Sequence, residues 1–115
     1  VKVTRTNTIL YCRNWQATVE FYKATLELTP TVQKKWFLEF RVSKEAYLSV
    51  ADEGRTSVKA AGGAGITISF RVEDAEELRE ELIAKGAEPG KMRQVWGSSA
   101  FFIRDPEGNR LEFWS

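Results

Sequence analysis

The sequence predicts an α+β fold made of two βαβββ modules, with paired, curved, mixed sheets enclosing a cleft. Three observations predict it. First, the order of elements repeats: a shift of 60 residues lays Asn14 on Asp74, Tyr22 on Leu82 and the opening strand on ITISFRV. Second, the strand candidates alternate with period two, the mark of sheets with one face covered and one available. Third, the chain closes on FFIRDPEGNRLEFWS, two apolar runs around one tight turn. The competing expectation is a plain α+β sandwich without a cavity.

The elements follow in order. Strand-forming Ile9, Leu10 and Tyr11 place a first strand at Asn7–Cys12. Asn14 can cap a helix running to about Leu26, with Val19, Tyr22 and Leu26 on one stripe. In WFLEFRV, Trp36, Leu38, Phe40 and Val42 face one way and Phe37, Glu39 and Arg41 the other; AYLSV at 46–50 is its hairpin partner. Residues 52–65 are polar and glycine-bearing, and AAGGAG suits a flexible connection or an edge. ITISFRV at 66–72 opens the second module, again alternating. Asp74 and Glu77 make a capping-box pattern, Leu78, Leu82 and Ile83 the buried stripe, and Lys85–Gly86 the stop. A polar strand or loop near Met92–Trp96 follows the Pro89–Gly90 turn, and the last hairpin turns through DPEGN. The chain is thus one domain, with modules 1–58 and 66–115 joined by a 59–65 linker.

Alternation divides the sheet residues into two sets. Leu10, Ile66, Ile68, Phe70, Leu111 and Phe113 go to the helix side, and Asn7, Ile9, Tyr11, Thr67, Ser69, Glu112 and Trp114 to the concave side.

Composition excludes several kinds of chemistry. There is no histidine among 115 residues, which removes Ser-His-Asp and Cys-His nucleophile systems and any metal site needing imidazole. Seventeen basic against sixteen acidic residues leave no cationic field for nucleic acid. The apolar runs are too short to span a bilayer. The single cysteine, Cys12, cannot form an internal disulfide and suits a reducing compartment, so the cytoplasm is the expected location. AAGGAG lacks the lysine of a phosphate loop.

Paired βαβββ modules, a first helix ending in EFYKATLEL and a terminal FFIRDPEGNRLEFW together resemble the vicinal-oxygen-chelate superfamily. That family includes glyoxalase I, extradiol dioxygenases, fosfomycin-resistance proteins and bleomycin-resistance binding proteins. The resemblance covers nearly the whole chain and implies the glyoxalase/bleomycin-resistance fold. Metal-dependent members carry His and Glu ligands on the inner strands. By position those sites fall near Asn7, Ser49, Thr67 and Glu112, and only Glu112 keeps a ligand type. The resemblance is therefore strongest to the metal-free drug-binding branch. It implies a homodimer, and the glycine-rich linker is compatible with modules exchanged between subunits.

The expected function is metal-independent binding of a small aromatic or cationic organic molecule, with no cofactor, as in drug or toxin sequestration. The alternative is a divergent metal-dependent lyase, isomerase or dioxygenase of the same superfamily; a third reading is a dimerisation module with a filled cleft. The candidate ligand-binding residues are Glu112, Trp96, Trp114, Tyr11, Asn7, Thr67, Ser69, Glu39 and Phe102. For Glu112 the competing role is an ion pair with Arg110, Arg104 or an arginine of the other module. Trp96, before Gly97-Ser98-Ser99, sits on a loop able to carry its ring over a cleft. Trp36 is expected in the core or an interface, and Trp15 outside the helix core, at a subunit contact.

Overall fold

A computed structural model describes residues Val1–Ser115. The chain divides into two compact units, Val1–Ala61 and Gly62–Ser115. Each consists of a four-stranded mixed sheet with a helix on one face.

In the first unit β1 (Thr6–Cys12) leads into α1 (Trp15–Glu20), followed by β2 (Thr29–Gln33), β3 (Phe37–Ser43) and β4 (Ala46–Asp52). The sheet order is β1-β4-β3-β2, with β1 parallel to β4 and the other pairs antiparallel. Asn14 is the N-cap: its side chain accepts from the Ala17 amide at 3.2 Å. The helical segment runs to Leu26 as expected, but not as one uniform α-helix. After Glu20 it widens into a π-helical turn, Phe21–Thr25, where the Leu26 amide reaches the Phe21 carbonyl at 3.0 Å. Glu27 then takes the left-handed conformation (φ 55) and the Leu28 amide closes back on Tyr22. Tyr22 stays fully buried beside Phe40, and Leu10, Cys12, Leu38, Leu48 and Val50 complete this core. A large apolar side chain buried this fully contributes about 1.5–3 kcal/mol.

Two features of this unit depart from the sequence expectation. Trp15, expected outside the helix core, is instead half-buried against its own sheet: it is the first helical residue, and its indole N–H donates to the Val50 carbonyl at 2.9 Å. β2 is a strand that TPTVQ does not advertise. It lies at the sheet edge, wholly exposed, with a bulge between Pro30 and Val32, where a proline is tolerated.

In the second unit β5 (Thr67–Arg71) leads into α2 (Ala75–Ala84), then β6 (Arg93–Val95), β7 (Ser98–Arg104) and β8 (Arg110–Trp114). The order β5-β8-β7-β6 repeats the first sheet, with β5 parallel to β8. Asp74 caps α2 by accepting from the Glu77 amide, and Gly86 (φ 86) ends it. Phe70, Phe101 and Phe113 stack beneath the helix, joined by Leu82, Ile103 and Leu111.

Here too the stripe shifts. Ala75 and Leu82 are fully buried, while Ile83 is 42% exposed, because one residue further round the helix turns it off the sheet. Ile66 precedes β5 and is also exposed, so the helix-side set begins at Ile68.

The glycine-rich segment is more than a flexible connector. Gly63 (φ 82) lies so close to the DPEGN turn that a Cβ on it would stand 2.1 Å from the Gly108 carbonyl oxygen. DPEGN itself is held by Asp105, which is buried and accepts from the Glu107 and Asn109 amides and the Asn109 side chain, each at 2.9 Å.

Candidate functional site

The nine candidate residues fall into two groups, one on each sheet. On the first sheet the face opposite the helix carries Asn7, Tyr11 and Glu39. Strand register puts Ile9 beside Ser49 and Ser49 beside Glu39, and places Tyr47 next to Asn7. Glu39 is buried, and its carboxylate gathers a network. It pairs with Arg5 at 2.6 Å and accepts from the Thr31 hydroxyl at 2.8 Å and the Asn7 amide nitrogen at 3.4 Å. Asn7 in turn accepts from the Ser49 hydroxyl at 2.8 Å. Thr31 owes its reach to the β2 bulge, which leaves it out of register beside Glu39. Tyr11 is half-buried on the same face.

On the second sheet the corresponding face carries Thr67, Ser69, Phe102, Glu112 and Trp114. Register aligns them in rows: Thr67 beside Arg110, Ser69 beside Glu112 beside Phe102, and Arg71 beside Trp114 beside Ala100. The Ser69 hydroxyl donates to Glu112. Neither arginine proposed as an internal partner reaches this carboxylate. Arg110 donates to the Thr67 hydroxyl at 2.7 Å and lies over the Phe102 ring, and Arg104 donates to the Gly108 carbonyl. Within its unit, then, Glu112 accepts from a serine and stands at ion-pair distance from no Lys or Arg.

Trp96 stands at the tip of the β6–β7 hairpin, and Ser98 and Ser99 after it belong to β7, so the connection is shorter than the sequence suggests. Val95 pairs with Ser98, so Trp96 and Gly97 form a two-residue turn, both with positive φ (53 and 78). These are the backbone signs of a type I′ hairpin, where Asn-Gly is the comfortable pair. A tryptophan in the left-handed region is strained, and the residue is 98% exposed. Trp96, Val95, Ser98, Ala100, Glu112 and Trp114 line a depression of about 230 Å³. Its only ionisable group is Glu112, flanked by two indoles.

Arg5 and Tyr47 were not foreseen as site residues. Tyr47 could have been reached by counting two residues back from Ser49 along the strand. Arg5 could not, since it lies before β1 and only folding brings it to Glu39.

The chain matches the model of the Glyoxalase/Bleomycin resistance protein/Dioxygenase superfamily over residues 4–113 and belongs to that family. Solved structures of the same fold include a lactoylglutathione lyase from Agrobacterium tumefaciens, 20% identical, with a TM-score of 0.79 over 98% of this chain and 93% of the other. A glyoxalase/bleomycin resistance protein/dioxygenase from Nocardioides is 22% identical, with a TM-score of 0.79 over 99% and 83%. TnmS3, an antibiotic binding protein from Streptomyces sp. CB03234, is 13% identical, with a TM-score of 0.81 over 97% and 94%. Nothing among curated proteins matches the sequence.

The residues that the family resemblance sets at metal positions do not have the chemistry to hold a transition ion. In the first unit Asn7 and Ser49 are neutral and hydrogen-bonded to one another. In the second, Thr67 accepts from Arg110, and Glu112 is the single charged oxygen donor. No group of three or more His, Cys, Asp and Glu side chains is placed to hold a metal. No helix is long and apolar enough to cross a membrane.

Proposed function

We propose that the protein binds a small planar organic molecule, bearing a cation or a hydrogen-bond donor on its edge, in the depression over β7 and β8. The molecule is bound without a metal and without being transformed. The observation that carries this reading is the Glu112 carboxylate. It lacks a cationic partner in its own unit and shares its depression with Trp96 and Trp114. Indole faces favour planar and cationic groups, and a carboxylate at the edge of such a surface favours a donor. The strain at Trp96 supports the same reading, since an awkward, exposed ring at a turn marks a position kept for something other than folding.

An enzymatic reading is less well supported. A metal-free general base would have to be Glu39 or Glu112. Glu39 is held by Arg5, and Glu112 already accepts a hydrogen bond from Ser69. The proposal keeps the homodimer expected from the family resemblance, with exposed Ile9, Val32 and Ile66 available for burial in it.

Titration with planar aromatic cations, followed by tryptophan fluorescence, tests the site. Glu112→Gln should weaken binding about ten- to hundredfold, the range of a charge-assisted hydrogen bond. Trp96→Ala should weaken it and remove most of the quenching. Titrations that are flat for the parent, or identical for both variants, would refute the site.

A further inference from the structure

We propose that the first unit contains a second binding site, for a guanidinium or amidinium group, and that Arg5 of the chain itself fills it. Four observations converge. The Glu39 side chain is only 9% exposed, yet one of its oxygens faces the Arg5 guanidinium at 2.6 Å. That guanidinium also lies 3.6 Å from the centre of the Tyr47 ring, so it is held between a carboxylate and an aromatic face. The other groups around the carboxylate are neutral and belong to the sheet: Thr31 in the β2 bulge, Asn7 on β1 and, behind Asn7, Ser49 on β4. Arg5 alone comes from outside the sheet. Residues 1–5 form no helix or strand and are all exposed, and pairing begins with the Thr6 amide on the Glu45 carbonyl.

The receptor groups are therefore fixed on the sheet, while their occupant comes from the segment before β1. Asn7 shows how well the wall is built: its amide is oriented by donating to Glu39 while accepting from Ser49, so the carboxylate stays aimed at the Arg5 position. With Arg5 swung away, a buried carboxylate beside a tyrosine face would be left without a counter-charge, which is unfavourable unless another planar cation takes its place. A ligand carrying a guanidinium or amidinium competes with Arg5 for this position. Its apparent affinity is lowered by the fraction of molecules in which Arg5 is seated. An ammonium would fill the site poorly, because it has no planar face to lay on the tyrosine ring while donating to the carboxylate.

The test uses the full chain and phenylguanidinium, with phenylurea as its neutral counterpart. Calorimetric titration of Arg5→Ala should show phenylguanidinium binding about tenfold more tightly than to the parent, the size expected for displacing one half-exposed partner. Adding Glu39→Gln should abolish that gain, and phenylurea should bind neither protein. Equal affinities for parent and Arg5→Ala, or a gain that survives Glu39→Gln, would overturn the proposal. Should Arg5→Ala fail to fold, the parent serves: the Arg5 Nε–H resonance should shift toward its free position as phenylguanidinium is added, and an unmoved resonance refutes the site. Glu112→Gln separates this proposal from the preceding one. The Arg5→Ala gain must persist in that background, and its loss would place the probe in the β7–β8 depression instead.

Discussion

At the scale of single residues, the two units solve the same problem in opposite ways. Register places Glu39 beside Ser49 in the first sheet and Phe102 beside Glu112 in the second, so each face has one carboxylate on neighbouring strands. The first is neutralised by Arg5, while the second has only a serine. Burial explains the difference: Glu39 is 6% exposed and needs a counter-charge, whereas Glu112 is half-exposed and retains water. Trp96 is the residue most at odds with its backbone. Replacing it by Asn, which accepts the left-handed region readily, should stabilise the protein by about 1 kcal/mol while weakening ligand binding. Thermal or urea denaturation read beside the ligand titration checks this. A Trp96→Asn protein that is no more stable would remove strain from the argument, and one with undiminished binding would remove the ring.

At the scale of elements, period-two alternation was the reliable guide. It put Leu38 and Phe40 on one face and Phe37 and Glu39 on the other, and the structure makes the first face the core and the second the Glu39 network. The helical period was less reliable at the ends. Ile83 fell outside the expected stripe, because one residue changes a helical side chain's direction by about 100°, and the last turn of the first helix widened from α to π geometry while keeping Tyr22 buried. β2 escaped notice because a proline-containing polar strand at a sheet edge needs no apolar pattern. The glycine-rich segment makes an element-scale prediction. Gly63→Ala should cost about 2–5 kcal/mol, combining left-handed strain with overlap on the Gly108 carbonyl. Chemical denaturation measures it, and a near-neutral result would show that the segment lies loosely on the turn.

At the scale of the whole molecule, the absence of histidine shapes the chemistry of both sheets. Neither face assembles a metal-ligating group, and Arg5, Arg71 and Arg110 lie over the rings of Tyr47, Trp114 and Phe102. Dialysis against EDTA should leave both ligand binding and thermal stability unchanged, and later addition of Mn, Fe, Ni or Zn should produce no turnover. Loss of binding on chelation, restored by one of these ions, would contradict the reading.

The sequence by itself determined the repeated βαβββ order, the two sheet faces, and the terminal turn built on Asp105, because these rest on local periodicity and on the backbone needs of Asp, Pro and Gly. It also determined that imidazole chemistry is unavailable. Only the tertiary structure decided which polar groups meet. Arg5 reaches Glu39 across 34 residues, Ser49 reaches Asn7 across 42, and Arg110 turns to Thr67 and Phe102, leaving Glu112 to Ser69. Side-chain partners depend on which strands become neighbours and at what register, and neither is encoded in any short stretch of chain.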